Sequence, residues 1–386
     1  DLHVEGSDAV GLYSDYAAND FTDFAVGRAK QLVVCNPDGY LIGDAIIFRL
    51  GEREFLSVGA AAAHNWLAYQ VETGDYDVTY ELQPRPVATG DDPNNFRLQV
   101  QGPTAYDVMA EAVDGELPDL SFFGFESVTI DGHPVKLLRH GMAGEPGFEF
   151  WGPYSDKIGV RDAVLEAGRE YDIRRLGSKS YQSANTVLGW VPLPVPAIYD
   201  SPALADYRDW LDAKRGMISI GGSFDSDDIT DYYITPVELG YDRFIDLDHD
   251  FVGRDALADE IHDPSRTKVT LEWHDDDVID AFGTLFAQGE TAKQMALPVP
   301  RSSACHYDTV RKDGEHVGVS KWMSYIYNER KLLSLAIIDV EQSQPGTEVS
   351  LIWGEASGAA NPQVERHRPT EIRATVAPSP YSEDRR

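Results

Sequence analysis

Cysteine is nearly absent from this chain: Cys35 and Cys305 are the only two in 386 residues. Two distant cysteines make no disulfide framework, and neither has histidine, cysteine or carboxylate company at metal-ligand spacing. Both read as small buried apolar residues, and a cytoplasmic setting is expected. Long hydrophobic runs are missing too. No stretch of about 18 apolar residues occurs, so no membrane-spanning helix is expected, and no basic, apolar leader argues for secretion. Positive charge is in short supply: 33 Lys and Arg face 65 Asp and Glu, a net charge of −32 at pH 7. Such a field repels nucleic acid and anionic membranes. Its ordinary meaning is a solvated acidic surface; a high-salt cytoplasm is the sharper hypothesis, since salt screens carboxylate repulsion. There is no GxGxxG or GxxxxGK[ST] motif, no internal repeat, and no supporting context for the scattered Ser/His and SxxK-like combinations.

What remains is enough to fold. Apolar content is 42%, and the length suggests roughly two or three domains. Asp38-Gly39 and Asp131-Gly132 sit between apolar runs and predict hairpins. A helix is expected from about Ala61 to Glu72, ending near Gly74, and another over Thr104–Val113. A third should start at Ser155 with a Ser/Asp cap and run to about Ala167. Strands are expected over Val78–Arg85 and Phe96–Gln101, with a polar loop over Ala88–Asn95 between them, and Ala203–Ala213 reads as a surface helix. Antiparallel strands alternating with helices predict an α+β fold. His262-Asp263-Pro264-Ser265 reads as a boundary. Beyond it, Lys268–Trp273, Tyr307–Val310, His316–Val319, Leu332–Val340 and Glu348–Trp353 are short strands with turn signals, which predict a small β-barrel or sandwich.

The most informative stretch is Leu137–Trp190. It opens with RHGMAGEPGFEFWGP from Arg139 and closes with GSKSYQSANT from Gly177, then Gly189-Trp190. Glycines at 141, 144, 147 and 152 predict a tight turn with backbone open to a ligand, then a short strand. On that strand Glu149 points away from Phe148 and Phe150.

These runs, with Gly221-Gly222-Ser223-Phe224 leading to Asp231-Tyr232-Tyr233, resemble the glycine-cleavage T-protein (aminomethyltransferase) superfamily. Within it they resemble the tetrahydrofolate-dependent aryl O-demethylases acting on vanillate, syringate and 3-O-methylgallate. The resemblance runs from about residue 1 to the C-terminus. It implies a T-protein-like folate-binding domain of antiparallel sheets with crossing helices over residues 1–262, a C-terminal β-barrel over 267–378 and a frayed tail over 379–386. It also implies further N-terminal residues ahead of Asp1, and tetrahydrofolate as cofactor with a small-molecule methyl donor as partner.

By the same resemblance, Glu149 holds the pterin ring. The pterin offers two parallel donors, and a carboxylate offers two matching acceptors; the plain alternative is a solvated strand glutamate. Tyr181 aligns with a catalytic tyrosine nine residues before a folate-contacting tryptophan, here Trp190. A phenol of pKa about 10 stays protonated at neutral pH and can stabilise a departing phenolate; the alternative is a packed strand tyrosine. Trp190 and Phe122 are candidate walls for flat rings. Gln99 matches a folate-contacting glutamine, with Gln101 on the same strand face, and Val58 matches a further contact. Asp44 matches an aspartate near folate N5, although aspartate is also common in turns. Ala60 stands where vanillate-type enzymes carry a carboxylate-binding arginine, so that clamp is missing. The arginine that T-proteins carry near Ser183 is missing too. His64 and His140 read as surface histidines or as ones standing behind the site. No metal site is expected. The leading expectation is a methyltransferase moving a methyl group from a methoxylated aromatic to folate N5. The alternatives are an aminomethyltransferase of glycine cleavage, a sulfonium or amine demethylase, or a folate-binding protein without transferase activity.

Overall fold

The computed structural model describes residues 1–83, 90, 92–142, 144–300, 303–356, 362 and 364–382. The expected strand end at Arg85, the first residues of the loop expected from Ala88, Ala143 of the glycine-rich turn, and the tail from 383 lie outside those residues. The chain divides into two compact units. One comprises residues 1–32 and 44–176; the other comprises 33–43 and 177–382.

In the first unit, strand β1 (Leu2–Gly6) is followed by helix α1 (Ala9–Tyr16), β2 (Ala29–Cys35), β3 (Leu41–Gly51), β4 (Glu54–Gly59), helix α2 (Ala61–Thr73) and β5 (Val78–Leu82). These strands form an antiparallel sheet in the order β2-β3-β4-β1-β5; residues 33–43 of β2, β3 and their turn count with the second unit. Helix α2 stops at Gly74, as expected, but not through a left-handed cap, since Gly74 has φ −87°. The glycine is needed for space: a Cβ there would stand 2.6 Å from the Gln70 carbonyl oxygen.

Then come β6 (Asn95–Gln101), α3 (Ala105–Ala112), β7 (Phe125–Ile130), β8 (His133–Arg139), β9 (Gly147–Pro153) and α4 (Lys157–Ala167). The four strands pair in the order β6-β9-β8-β7. Alternation sorts their side chains. Phe96, Val100, Phe148 and Phe150 face Val108 and Met109 of α3 and Val160 and Val164 of α4. On the opposite face Trp151 and Leu138 pack with Phe48 and Leu56 of the first sheet. The turn at Asp131-Gly132 has both residues at positive φ, 51° and 75°, the geometry that suits a two-residue hairpin. The cap expected at Ser155 is not used. Residues Tyr154–Asp156 form a 3₁₀ turn, α4 begins at Lys157 without a side-chain cap, and Ser155 Oγ donates to Asp156 Oδ1 at 3.1 Å.

In the second unit, α5 (Ser178–Leu188) precedes α6 (Ala205–Trp210) and α7 (Ala213–Gly216). The surface helix expected over Ala203–Ala213 is therefore broken. Leu211 is extended, and Asp212 caps the next turn by accepting from the Lys214 amide at 2.8 Å. After β10 (Ile220–Gly221) and α8 (Arg254–Glu260) come β11 (Arg266–Trp273), α9 (Asp275–Gly283), β12 (Cys305–His306), β13 (Asp308–Lys312), β14 (Glu315–Ile326), β15 (Lys331–Asp339), β16 (Glu348–Trp353) and β17 (Thr370–Ala377). Strands β11-β15-β14-β13-β16-β17 close into a barrel, sealed by β17 pairing back onto β11. Trp273 and Trp353 meet edge-on in its core at 5.6 Å, and Trp273 Nε1 donates to Ser334 Oγ at 2.9 Å. The β14–β15 register slips between Ser320 and Trp322, so Lys321 occupies a bulge, a device that re-aims a side chain. The mixed helix-and-sheet architecture with a barrel after it is the one the sequence predicted.

Candidate functional site

Strands β6 and β9 put Gln99 directly opposite Glu149 and Arg97 opposite Trp151. Odd-numbered residues of both strands share the face away from α3 and α4, because Phe148 and Phe150 take the apolar side. Glu149 is thus forced out of the main core without reaching open solvent: its side chain is only 15% exposed. Among the described residues each carboxylate oxygen has one donor. Arg97 Nη1 lies 3.2 Å from Oε1, and Gln99 Nε2 lies 2.6 Å from Oε2. Gln101 Nε2 donates to Gln99 Oε1 at 2.5 Å, while Gln101 Oε1 accepts from the Met142 amide at 2.7 Å. A continuous polar line therefore runs from the glycine-rich turn through both glutamines to Glu149 and Arg97. Glu149 is therefore not a solvated strand glutamate, and Gln99 is the glutamine that touches it, with Gln101 one bond behind.

Gly147 starts this strand because nothing larger fits. A Cβ there would come within 2.5 Å of the Val100 carbonyl oxygen and 3.0 Å of that of His140. Arg139, one residue before His140, donates to the Gly147 carbonyl through Nη1 at 3.0 Å and to the Tyr106 hydroxyl through Nε.

Val58 packs against the cluster that holds Trp151 and Leu138, the residues flanking Glu149 along its own strand and across from it. Phe122 lies beside that group, stacked on Phe123 at 4.5 Å. His140 sits 5.9 Å from Phe122 and 5.3 Å from Phe123. His140 and His64 are both buried, so of the two readings given them the surface one does not hold. Asp44 lies in β3 and not in a turn, so its local-turn explanation fails. It is 8% exposed, and its Oδ2 accepts from Gln31 Nε2 at 2.9 Å. Its carbonyl accepts from the Ala60 amide at 3.0 Å. Ala60 stands at the start of α2 and presents no charged group there.

Tyr181 and Trp190 belong to the second unit. Tyr181 is not on a strand: it lies one turn into α5, its amide bonded to the Gly177 carbonyl at 3.1 Å, and it is 40% exposed. The helix ends at Gly189 in the left-handed region, φ 71°, and the Trp190 amide donates back to the Asn185 carbonyl at 2.9 Å. Strand β14 pins this helix from below. Thr186 and Ser324 share a buried hydroxyl contact, and Trp322 Nε1 donates to the Gln182 carbonyl at 3.4 Å.

Arg97, Gln31 and the bridging role of Gln101 are contributed by the structure and were not among the residues expected from sequence. Arg97, Gln99 and Gln101 alternate on one strand face, and that spacing was the available signal. Among the described residues no group of three or more His, Cys, Asp or Glu could hold a metal ion, and no helix is long and apolar enough to cross a membrane.

A family model described as the GCVT N-terminal domain matches residues 1–186. The chain is 40% identical to syringate O-demethylase of Sphingobium sp. (strain NBRC 103272 / SYK-6), covering 99% of this chain and 84% of that protein. It is 29% identical to sesamin methylene transferase of Sinomonas sp. (strain No.22), covering 98% and 82%. The aminomethyltransferase of Clostridium botulinum (strain Okra / Type B1) is 24% identical, covering 91% and 79%. Among solved structures, the glycine cleavage system aminomethyltransferase T from Bartonella henselae aligns with a TM-score of 0.64 at 18% identity, covering all of this chain and 84% of that one; at that identity the match speaks for the fold.

Proposed function

This chain belongs to the glycine-cleavage T-protein (aminomethyltransferase) superfamily and is a methyl-transferring enzyme of its O-demethylase branch, and from that premise we propose that tetrahydrofolate is the methyl acceptor and a methoxylated aromatic the donor. The observation that carries the reading is the state of Glu149. A carboxylate oxygen has two lone-pair sites, and the protein fills one on each oxygen, from Arg97 and Gln99. Among the described residues no other group donates to either oxygen, so one acceptor site is left on each, which fits the paired N–H donors on the edge of a reduced pterin. Gln101 and the Met142 amide hold Gln99 in place, so the carboxylate is oriented before any ligand arrives. Val58 and Phe122 supply apolar surface to the same region.

When bound, tetrahydrofolate supplies the nitrogen that accepts the methyl group. The chain's own part is positioning and proton supply. Tyr181 donates a proton, or a hydrogen bond, to the ether oxygen as the aryl–O–methyl bond opens and charge gathers on that oxygen. This stabilises the transition state more than the ground state. Its helix is pinned to β14 through Thr186 and Gln182. Asp44, held by Gln31, orients the region around the transferred carbon. Ala60 gives a donor carboxylate no guanidinium to pair with, so donors with and without a carboxylate both belong in the test.

The test is a panel of methoxyaromatics, glycine-pathway donors and sulfonium compounds, each incubated with enzyme and tetrahydrofolate and read by mass spectrometry for methyltetrahydrofolate. Methylfolate formed from a methoxyaromatic, with the demethylated phenol in equal amount, is expected. Product only from glycine-pathway or sulfonium donors would refute the donor class. Tyr181→Phe is expected to cut turnover by about 100-fold or more while folate affinity stays within about 2-fold; an unimpaired variant would remove Tyr181 from its role.

A further inference from the structure

We infer that Arg97 is the positioning residue that sets the angle of the cofactor-holding carboxylate; this rests on the reading that Glu149 receives the pterin. Arg97 is itself held on three sides. Its guanidinium lies over the Trp151 ring at 5.0 Å and over the Phe48 ring at 5.6 Å. Its Nη2 is 3.5 Å from Asp1 Oδ2, and its Nη1 is 3.2 Å from Glu149 Oε1. Trp151 is directly across the β6–β9 ladder from Arg97, and Glu149 is the next residue along on that face. Cation–π contact with both rings holds the guanidinium in place, and from there Nη1 makes the diagonal contact to Glu149.

The other flank is neutral. Gln99 binds Oε2 at 2.6 Å and is tied through Gln101 to the glycine-rich turn. The carboxylate is thus bracketed by a charged donor on one oxygen and an amide on the other. The bracket determines which lone pairs face a ligand. A lysine at 97 would keep the charge but not the flat, stacked fork that sets direction. Asp1, Arg97 and Glu149 alternate in sign, so removing the central cation would also leave two carboxylates near one another in a poorly solvated place.

Tetrahydrofolate affinity under anaerobic conditions, followed by tryptophan fluorescence or calorimetry, tests this in wild type, Arg97→Gln, Arg97→Lys and Glu149→Gln. Arg97→Gln is expected to raise Kd about 10- to 100-fold, the range for a hydrogen bond to a charged group, with Arg97→Lys recovering part of the loss. The defect should fall on KM for folate, with kcat and KM for the donor much less affected. A folded Arg97→Gln or Arg97→Lys protein with wild-type folate affinity, while Glu149→Gln loses it, would overturn the role of Arg97. Should Arg97→Gln fail to fold by circular dichroism, Arg97→Lys carries the test: several-fold weaker binding supports positioning, and unchanged binding refutes it. Failure of the underlying reading looks different: wild type without folate affinity, or Glu149→Gln binding as wild type does.

Discussion

Replacing Lys321 by methionine should stabilise the protein at neutral pH and flatten the pH dependence of its stability. Lys321 is 3% exposed. Its Nζ has no hydrogen-bond partner among the described residues and lies 3.2 Å from the centroid of the Tyr307 ring. Burial pulls its pKa from the ordinary 10.5 down to about 7. A thiolate at Cys305 would oppose that, but burial pushes the Cys305 thiol up, so near pH 7 the sulfur is uncharged and gives no help. The sign of the linkage follows. From about pH 7 up to about 10.5, the unfolded chain keeps this proton and the folded chain has lost it. Stability therefore rises with pH across that window, by at most about 1.4 kcal/mol per unit, or on the order of 2 kcal/mol between pH 7 and pH 9. Below pH 7 the full cost of burying the charged amine is present. Methionine removes the titration at the cost of a small void, about 1 kcal/mol, leaving a gain on the order of 3 kcal/mol at pH 7 that shrinks as pH rises. Urea unfolding of both proteins from pH 6 to pH 10 measures it. Curves that stay parallel with pH would refute the reasoning, since every other titrating group is common to the two.

Two further outcomes are expected. Gly222→Ala should cost at least about 2 kcal/mol, because φ is +111° and a Cβ would stand 2.0 Å from the Tyr307 carbonyl oxygen; a urea midpoint shift worth under about 0.5 kcal/mol would contradict it. With a net charge of −32, the melting temperature should climb by several degrees between about 0.1 and 2 M KCl as repulsion is screened; a flat or falling trend would count against a salt-adapted surface.

What could be read from the residues alone was whatever chemistry decides locally. Asp131-Gly132 announced its hairpin because both residues tolerate positive φ, and both adopt it. Glu149 could be placed on the right face because strand alternation is strict. The helical setting of Tyr181 was not legible, since SKSYQSANT is rich in residues with weak helix propensity. That helix is held by β14, a partner more than a hundred residues away. Arg97 was missed for a related reason: its meaning lies in Trp151 and Phe48 beneath it, and no local pattern announces a cross-strand stack. The bulge at Lys321 likewise depends on the register of β15. The break after Trp210 turned on Asp212 capping a new turn instead of continuing the old one.

The closure of the barrel has a consequence for crowding. With β17 bonded to β11 on one side and to β16 on the other, its strands expose no row of unsatisfied amides along a rim. A second molecule cannot lengthen it by strand addition, the usual route from a native sheet toward aggregates. The vulnerable margins are elsewhere, at the ends of the two larger open sheets, where β2, β5, β6 and β7 each have one neighbour. Strand β7 carries Glu126 and β5 carries Glu81, charges that discourage an incoming chain from docking there.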